Sequence, residues 1–370
     1  MKSYKPGFKI GYLGGGQLAR MLAESASNLG LHAYALSEKN DDPVAQVTGF
    51  WNKGSLSQEK SLIEFLKKVD VATFESEFLD TKLLERAGKK ANTKILPKPQ
   101  TMGILQDRKS QKKLFDKYKL PTSPWAAVDT NKQIEAFINQ HNLPVVFKKR
   151  FFGYDGYGTF VVKTKKNLEQ FLKTDFKPDL FIVEKFIPFQ KECAVIIARS
   201  ADKSFTHFPF VETYQKDSRC DWIKGPIKAK THPTMIKKLK NFLEKTQYVG
   251  AMGVEFFVIK NQLIINEIAP RVHNTGHYSQ DTQGYSQFDI HNLCLMGMKL
   301  PKTIDCGKGF AMANLIGNGK NLKFNSVDHL HWYGKSENRK GRKMGHLNVV
   351  GQNPQQALKQ ALKKRQEIQL

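Results

Sequence analysis

The sequence has few cysteines and lacks any long hydrophobic run. Its 370 residues include four cysteines, and none lies close enough to another to form a typical zinc or redox motif: Cys193, Cys220, Cys294 and Cys306. We expect reduced, mostly buried thiols. No apolar stretch approaches the roughly 18 residues that span a bilayer, and none follows the charges of the first residues. These absences predict a soluble, cytoplasmic protein with no membrane partner.

Acidic residues are also scarce relative to basic ones. The chain has 59 Lys and Arg residues against 34 Asp and Glu, a net charge of +25, which favours phosphate-bearing partners and, non-specifically, nucleic acid. The lysines are spread along the chain without the interleaved aromatic residues of a single-strand binder. A solvated basic surface is therefore the simpler interpretation, and no specific nucleic-acid partner is predicted. The 40% hydrophobic content suffices for two or three packed cores.

Two βαβ-like units open the chain. The pattern predicts a strand over residues 8–13, a glycine turn, a helix over 18–29 and a strand over 33–37. A second helical pattern covers 58–68, and an apolar strand over 71–74 runs into Glu75 and Glu77. Ligands of such parallel sheets bind at the carboxyl ends of the strands. We therefore expect the glycine turn and the two glutamates to line one pocket.

The glycine turn, Gly14-Gly15-Gly16-Gln17, invites comparison with dinucleotide-binding loops. The spacing of such loops is broken here, because Ala19 occupies the place of the last glycine. A smaller phosphorylated ligand fits the turn better than a dinucleotide, and both alternatives stay open on the residues alone.

A second unit begins near residue 100, after a proline-rich stretch. A predicted strand over 144–148 ends on Lys148 and leads into three closely spaced glycines, Gly153, Gly156 and Gly158. A lysine facing a glycine hairpin suits nucleotide phosphates, because glycine lets backbone N–H groups approach phosphate oxygens. An ordinary hairpin turn is the alternative. Two strands that we predict to pair with each other, over 181–184 and 192–198, carry Glu184 and Glu192. Their carboxylates can accept hydrogen bonds from a nucleotide sugar or base amine.

A β-hairpin over residues 254–267 carries two opposed carboxylates. If its loop has three residues, 260–262, Glu255 lies directly opposite Glu267. Like charges in that position destabilise a sheet, and a divalent cation between them removes the repulsion while supplying the oxygen ligation that Mg²⁺ prefers. A one-residue slip of the register would separate the two side chains.

A polar loop follows this hairpin directly and contains Arg271, His273 and Asn274. The guanidinium of Arg271 can bind bicarbonate or a carboxyphosphate through two parallel hydrogen bonds, and His273 can donate to the same anion. Isolated histidines are often structural, but their position beside two carboxylates favours a functional loop.

The chain as a whole resembles the 5-(carboxyamino)imidazole ribonucleotide synthase family of the ATP-grasp superfamily. The resemblance covers residues 8 to about 350, and the order of its motifs is more specific than any one of them. The matching stretches are residues 14–21, 73–77, 107–108, 153–158, 254–257, 266–277, 286–288, 333–335 and 341–346. It implies α/β and α+β architecture: an ATP-grasp fold at 101–300, an N-terminal Rossmann-like preATP-grasp domain at 1–100, and a small C-terminal domain at 301–370.

The resemblance also implies a reaction and its ligands. ATP would convert bicarbonate to carboxyphosphate, and the amine of 5-aminoimidazole ribonucleotide would take up the carboxyl group, directly or through transient CO2, in de novo purine biosynthesis. Mg²⁺, or Mn²⁺ in its place, would assist, without biotin. A homodimer is expected.

Site residues follow from the resemblance position by position. Those implied for ATP are Arg108, Lys148, Gly153, Tyr154, Asp155, Gly156, Gly158, Glu184, Lys185, Phe186, Ile187, Glu192, Gln215, Asn266 and Glu267. Those implied for the ribonucleotide are Gln17, Leu18, Glu75, Glu77, Tyr154, Asp155, Arg271, Lys335 and Arg342. Those implied for catalysis are Arg271, His273, Asn274, Asp155 and Lys335, with Glu255 and Glu267 as metal ligands.

The chain departs from the family pattern at five positions, and three rival functions remain. The departures are Phe151, Phe152, Thr159, Gln215 and Asn292. None removes an implied phosphate or metal ligand, so activity is expected to persist. The rivals are a formate-using or biotin-linked ATP-grasp ligase, an inactive paralogue that only binds nucleotide, and a nucleic-acid-binding protein.

Overall fold

The computed structural model describes residues 6–153, 156–174, 176–320, 323–324 and 328–369. Most of the strands in these ranges belong to three sheets. The first is a parallel sheet in the order β3-β2-β1-β4-β5. Its strands are β1 (Lys9–Leu13), β2 (His32–Ser37), β3 (Phe50–Lys53), β4 (Val71–Phe74) and β5 (Lys94–Ile95). The helices of this unit are α1 (Gln17–Asn28), α2 (Glu59–Leu66) and α3 (Thr81–Ala91). Both predicted units are confirmed, with bounds shifted by at most two residues.

The amino-terminal sheet is parallel because helices connect its strands and cover its faces. All four residues of β4 are buried, as expected for a central strand of a parallel sheet. Two helices, α4 (Pro99–Gln106) and α5 (Arg108–Lys117), then lead out of this unit. Asp107 caps α5 by accepting a hydrogen bond from the Lys109 N–H at 3.1 Å.

A four-stranded antiparallel sheet forms the second unit, in the order β6-β9-β7-β8. Its strands are β6 (Trp125–Ala127), β7 (Val145–Lys149), β8 (Thr159–Val162) and β9 (Phe181–Lys185), and its helices are α6 (Asn131–His141) and α7 (Lys165–Leu172). A small aromatic core holds the helices to the sheet, with the ring of Phe147 4.8 Å from that of Phe171.

The largest sheet continues from the central part of the chain into its carboxyl-terminal part. Its strands are β10 (Lys191–Arg199), β11 (Phe205–His207), β12 (Phe210–Lys216), β13 (Arg219–Ile227), β14 (Gly250–Ile259), β15 (Gln262–Ala269), β16 (Gly309–Ile316), β18 (Leu330–Trp332) and β19 (Lys343–Gly351). Helices α8 (His232–Lys245), α9 (Gln287–Met296) and α10 (Pro354–Gln366) pack on it, and β17 (Lys323–Phe324) pairs with β20 (Ile368–Gln369). Because β13 pairs with β16, the strands at 309–316, 330–332 and 343–351 extend the same sheet. The predicted pairing of the strands over 181–184 and 192–198 is wrong, because β9 pairs with β6 and β7 whereas β10 pairs with β11, β12 and β14.

Helix α9 joins the first unit to the largest sheet. Its His291 accepts the Ala251 N–H at Nδ1 (3.0 Å), which leaves Nε2 to donate to Thr73 at 2.9 Å. Burial lowers the pKa of His291 to about 4. The next residue, Asn292, accepts from the Tyr12 hydroxyl at 2.9 Å and is fully buried. The departure from the family pattern at Asn292 therefore lies in a structural hydrogen-bond network between units.

The cysteines agree with the expectation of buried, reduced thiols. All four cysteines are free and buried, and burial raises the thiol pKa of each, so they are poorly ionised. In the part of the chain that the structure describes, no helix combines the length and apolarity needed to cross a membrane.

Candidate active site

A cavity of about 530 Å³ lies at the carboxyl ends of the parallel strands. The glycine turn lines it together with residues distant in sequence, whereas Glu75 and Glu77, which were predicted to share this pocket, are not among the lining residues. The lining residues are Gly15, Gly16, Gln17, Ser37, Glu38, Lys39, Asp42, Pro43, Ser55, Leu56, Ser57, Phe78, Leu79, Asp80, Lys335 and Arg342. Leu18 is placed differently from Gln17, since its side chain is buried in the hydrophobic core. The cavity lining thus combines three cationic residues, Lys39, Lys335 and Arg342, with the glycine turn.

The glycine turn accommodates the side chain of Glu75. A Cβ on Gly14 would lie 2.6 Å from Glu75 Cγ, and the Gly14 φ of +127° is one that other residues rarely adopt. The carboxylate of Glu75 accepts hydrogen bonds from the Gly16 N–H and, at 3.0 Å, the Ala19 N–H. Burial raises the pKa of Glu75 despite these bonds. A carboxylate thus already occupies the amino terminus of α1, where a dinucleotide would place its pyrophosphate.

Glu77 and Arg271 connect this cavity to the polar loop after β15. The Arg271 Nη2 donates to Glu77 Oε1 at 2.9 Å, and Nε donates to the other carboxylate oxygen. Burial opposes the charge of Arg271, but the field of Glu77 raises its pKa. Sequence reasoning assigned both residues to ligands and did not foresee that they pair with each other across two structural units.

The predicted phosphate-binding lysine belongs to a buried ion cluster. Lys148 donates to Asn266 Oδ1 at 2.9 Å and to Glu184 at 3.3 Å, while Lys112 approaches the other oxygen of Glu184 at 3.2 Å. Burial alone would raise the pKa of Glu184, but the two lysines lower it to about 2. Burial lowers the pKa of Lys112 to about 8. Lys112 was missed; its position four residues after Arg108 on a helix was the available signal.

The glutamates of the hairpin are opposed, but the predicted three-residue loop is wrong. Ile259 pairs with Gln262, so the loop is Lys260-Asn261. Pairing continues in that register to Phe256 and Ile265, and a β-bulge at Asn266 then brings Glu255 opposite Glu267.

Burial along β15 shows what the bulge does. Ile265 and Ile268 both lie in the hydrophobic core, although strict alternation would place residues three apart on opposite faces. The two residues between them, Asn266 and Glu267, therefore both face the cleft. One inserted residue thus presents an amide and a carboxylate side by side.

The opposed glutamates lie among cations and a third carboxylate. Arg108 Nη2 donates to Glu267 at 2.8 Å. Burial raises the pKa of Glu267, but Arg108 and Lys148 outweigh it and the net pKa is lowered. Glu192, on the same face of the sheet, has a pKa raised to about 7 by burial and by the charge of Glu267. The described residues contain no group of three or more His, Cys, Asp or Glu side chains placed to hold a metal ion, so a divalent cation here would depend on the opposed pair, Glu255 and Glu267, and on oxygen atoms of its ligands.

Two residues of the polar loop have different environments. Burial, and then Arg271, lower the pKa of His273 to about 3, so its imidazole is neutral near pH 7. Its Nδ1 lies 2.9 Å from the Thr275 hydroxyl and 3.9 Å from Glu255. The amide of Asn274 exchanges two hydrogen bonds with that of Asn314, at 2.8 and 3.0 Å, which fixes its orientation. His273 can therefore donate a hydrogen bond but supplies no positive charge.

The remaining implied residues are distributed around the cleft. Lys335 Nζ donates to the Lys343 carbonyl at 2.6 Å, and Arg342 donates to the Glu337 carbonyl at 3.2 Å. Lys335 and Arg342 both lie in the segment between β18 and β19, which contains no helix. Backbone N–H groups of two residues after Glu184 are already bonded, Lys185 to Pro124 and Phe186 to Pro144. The half-buried Ile187 follows them, and Gln215 pairs in register with Cys220.

The glycine hairpin is described only at its ends. A Cβ on Gly156 (φ +79°) would lie 2.2 Å from Ser218 Cβ, and one on Gly153 would lie 3.3 Å from Nη2 of Arg108. Gly158 also has a positive φ, +80°. Tyr154 and Asp155 lie outside the described residues.

Comparisons with known proteins cover all three parts of the chain. Residues 8–106 match the ribonucleotide synthetase preATP-grasp domain, 113–288 the ATP-grasp domain, and 311–360 the phosphoribosylaminoimidazole carboxylase C-terminal domain. The N5-carboxyaminoimidazole ribonucleotide synthase of Staphylococcus aureus (strain MRSA252) is 33% identical over 352 residues, covering 94% of this chain and 93% of its own.

Solved structures agree with this relationship. The N5-carboxyaminoimidazole synthetase of Staphylococcus aureus, complexed with ADP, superimposes with a TM-score of 0.89 at 31% identity, covering 99% of each chain. The Aspergillus clavatus N5-carboxyaminoimidazole synthase, in complex with ADP and 5-aminoimidazole ribonucleotide, gives a TM-score of 0.86 at 26% identity, covering 98% of this chain and 99% of its own. The fold class and the family predicted from the sequence are thereby confirmed: the chain belongs to the N5-carboxyaminoimidazole ribonucleotide synthase family of the ATP-grasp superfamily.

Proposed function

We propose that the protein carboxylates 5-aminoimidazole ribonucleotide with bicarbonate at the expense of ATP, as an ATP-dependent ligase of purine biosynthesis. The products are 5-carboxyaminoimidazole ribonucleotide, ADP and phosphate. The observation that carries this proposal is the Arg271–Glu77 contact. Arg271 belongs to the loop beside the opposed glutamates. Glu77 belongs to the segment after β4, whose next residues line the same cavity as Lys335 and Arg342. A nucleotide site and a second anionic-ligand site therefore meet at one point.

The cleft between β7 and β15 suits the phosphates of ATP. Lys148 and Arg108 bring positive charge to the face that carries Glu255 and Glu267. Glu192 can bind a ribose hydroxyl or an adenine amine, and Gln215, Asn266 and the segment 184–187 complete the proposed nucleotide site. Catalysis of phosphoryl transfer needs mainly positioning and charge neutralisation.

We assign Mg²⁺, or Mn²⁺, to the opposed glutamates. The donor set fits, because Glu255 and Glu267 offer carboxylate oxygens on one face of the sheet. When bound, the cation would neutralise phosphate charge during transfer. Arg108 now neutralises part of Glu267.

Arg271, His273 and Asn274 are proposed to hold bicarbonate. An oxygen of bicarbonate attacks the γ-phosphorus of ATP, the bond to the ADP oxygen breaks, and carboxyphosphate forms. Arg271 contributes charge, since its pKa is raised, and the neutral His273 contributes a hydrogen bond. Arg271 must share its guanidinium between this anion and Glu77.

The cavity is proposed to hold the ribonucleotide. Its phosphate suits the two cations, Lys335 and Arg342, and the glycine turn with Gln17 and Glu75 would hold the opposite end. The aminoimidazole nitrogen attacks the carboxyl carbon of carboxyphosphate, the carbon–oxygen bond to phosphate breaks, and the amine loses one proton. Tyr154 and Asp155 stay candidates for this site from the sequence alone.

A coupled assay of ADP release tests the proposal. Release should require ATP, bicarbonate and the ribonucleotide together. ADP release with formate, with a biotin-carrying protein or with no second substrate would favour one of the rival ATP-grasp activities, and no ADP release under any condition would favour an inactive paralogue. We also propose that the protein is cytoplasmic, forms a homodimer and uses no biotin. Within each chain, we place the domain boundaries near residues 100 and 300.

A further inference from the structure

Two phenylalanines from different units meet between the proposed nucleotide cleft and the ribonucleotide cavity. The ring of Phe152 lies 5.7 Å from that of Phe78, tilted by 37°. Phe152 directly precedes the glycine hairpin, whereas Phe78 follows Glu77 and lines the cavity. Both side chains are partly exposed, 62% for Phe152 and 37% for Phe78. Such exposure is unusual for a pair whose only task is to fill a core.

The backbone at Phe152 has a conformation that aromatic residues rarely adopt. Its φ is +59°, and bulky residues in the left-handed region occur mainly where the surroundings enforce them. On the other side, Phe78 is fixed by a turn in which its N–H donates to Ser76 Oγ at 3.2 Å. The contact is therefore made by two backbones held in defined positions.

The neighbours of the pair belong to the two proposed sites. Gly153, next to Phe152, approaches Arg108, which is bound to Glu267. Glu77, next to Phe78, is bound to Arg271. The two rings thus stand at the boundary where an activated carboxyl group would leave the phosphate-binding side and enter the ribonucleotide cavity.

Carboxyphosphate is labile in water. If water reaches it, the carboxyl–phosphate bond breaks, one water is consumed and bicarbonate and phosphate return, so that ATP is spent without product. If the aminoimidazole nitrogen reaches it first, the same bond breaks and the nitrogen–carbon bond forms. The ratio of these outcomes depends on how well water is excluded at the boundary.

We propose that Phe78 and Phe152 are positioning residues that form an apolar seal over this boundary and keep ATP use coupled to carboxylation. This inference rests on the proposed function. The seal consists of the aromatic rings, so its loss should raise the amount of ADP formed per ribonucleotide consumed. A merely structural contact would change stability or overall rate and leave that ratio intact.

The test measures ADP release and loss of the free aromatic amine of the ribonucleotide in the same reaction. For the wild type we expect about one ADP formed per ribonucleotide consumed. In Phe152→Ala and in Phe78→Ala this ratio should increase by about twofold to tenfold, a factor that corresponds to the interaction energy of an aromatic pair. The double variant should show no more than the larger single effect, because either substitution opens the same seal. Phe152→Leu should restore most of the coupling, since it retains an apolar side chain.

Phe160→Ala is the matched control. Phe160 lies on β8 and has an exposure (40%) close to that of Phe78, but its ring contacts Phe171 and Phe181. The ADP-to-ribonucleotide ratio of Phe160→Ala should therefore match that of the wild type. A wild-type ratio in folded Phe152→Ala and Phe78→Ala variants, or an equal rise in Phe160→Ala, would overturn the seal. Absence of ribonucleotide-dependent ADP release in the wild type is a separate result that would overturn the proposed function.

Discussion

At the scale of single residues, several side chains have protonation behaviour that their neighbours impose. Glu267 and Glu192 share one face of the sheet, yet their pKa values shift in opposite directions. Arg108 and Lys148 stabilise the charge of Glu267, whereas Glu192 lies in an apolar strand and feels the charge of Glu267. Removing the two carboxylates should therefore have opposite effects on stability.

Glu255→Gln should abolish turnover while the protein stays folded, because the proposed cation loses one of its two carboxylates. Glu267→Gln should abolish turnover as well but also lower Tm, since it leaves Arg108 without its 2.8 Å partner. ADP release at limiting Mg²⁺ and thermal unfolding without ligand measure the two effects. Wild-type activity in either variant under those conditions would refute the metal assignment.

Glu192 should make stability depend on pH. The pKa of Glu192 in the folded protein, about 7, exceeds the value of 4.5 expected for an unfolded chain. The contribution of Glu192 to the free energy of unfolding is therefore fully present below pH 4.5 and is lost as the pH rises through about 7. Glu192→Gln should therefore raise Tm relative to the wild type increasingly between pH 5 and pH 8. At pH 8 the free energy of unfolding of Glu192→Gln should exceed that of the wild type by on the order of 1–2 kcal/mol, after allowance for partial solvent exposure.

Thermal unfolding across this pH range checks the Glu192 prediction. Glu169→Gln, which removes an exposed glutamate on α7, is the matched control and should give a difference independent of pH. A Glu192→Gln profile parallel to that of the wild type would show that Glu192 ionises normally.

Lys335→Ala and Arg342→Ala should chiefly impair use of the ribonucleotide. Each would remove a charge-assisted contact of about 1.5–3 kcal/mol, which corresponds to a loss of about tenfold or more in kcat/KM for that substrate. The apparent affinity for ATP should change little, because other residues are assigned to it. Lys340→Ala, in the same loop but absent from the cavity lining, serves as the control. Values within error of the wild type for both variants would place the two cations outside the site.

At the scale of elements, the sequence predicts the strands and helices well but misses the contacts between them. The opposition of Glu255 and Glu267 is predicted, although for a loop of the wrong length, because the bulge at Asn266 restores the register that the shorter loop would shift. A bulge has no strong local signature, so alternation alone cannot reveal it. In the structure, Ile265 and Ile268 are both buried although they are three residues apart, and the bulge between them makes this possible.

Long-range pairing is the part that local patterns could not supply. Glu77 and Arg271 are 194 residues apart, and Lys112 reaches Glu184 from a helix that precedes the second sheet. From the sequence, Glu77, Arg271 and Glu184 each look like free ligands for a substrate or cofactor, because a carboxylate or guanidinium is identified there by its type and not by its neighbours. The glycines before α1 were similarly open to a dinucleotide interpretation until Glu75 was seen to fill the space.

The segment from Gly153 to Gly158 should change its protection when nucleotide binds. Its glycines contribute little packing, and its proposed partner is the phosphate chain of ATP. Hydrogen exchange should therefore be fast without ATP and Mg²⁺ and slow with them, while the hairpin loop Lys260-Asn261 should exchange equally in both states. Equal protection of residues 153–158 with and without ligands would identify an ordinary turn.

At the scale of the whole molecule, three sheets contribute residues to the two proposed sites. The parallel sheet supplies the cavity, the four-stranded sheet supplies Lys148, and the nine-stranded sheet supplies the carboxylates and the loop with Arg271. Helix α9 and the Arg271–Glu77 contact hold the first unit to the third. The high net charge of +25 exceeds what these sites use and has no explanation in the structure.

Transfer of an oxygen atom from bicarbonate to phosphate tests the central claim most directly. If bicarbonate attacks the γ-phosphorus of ATP, the phosphate released with ¹⁸O-labelled bicarbonate should carry one labelled oxygen per ADP, and its formation should depend on 5-aminoimidazole ribonucleotide. Mass spectrometry of the phosphate measures this, with labelled water and unlabelled bicarbonate as the reciprocal control. Phosphate that takes its new oxygen from water alone would contradict the proposed carboxyphosphate route and leave the protein a nucleotide hydrolase.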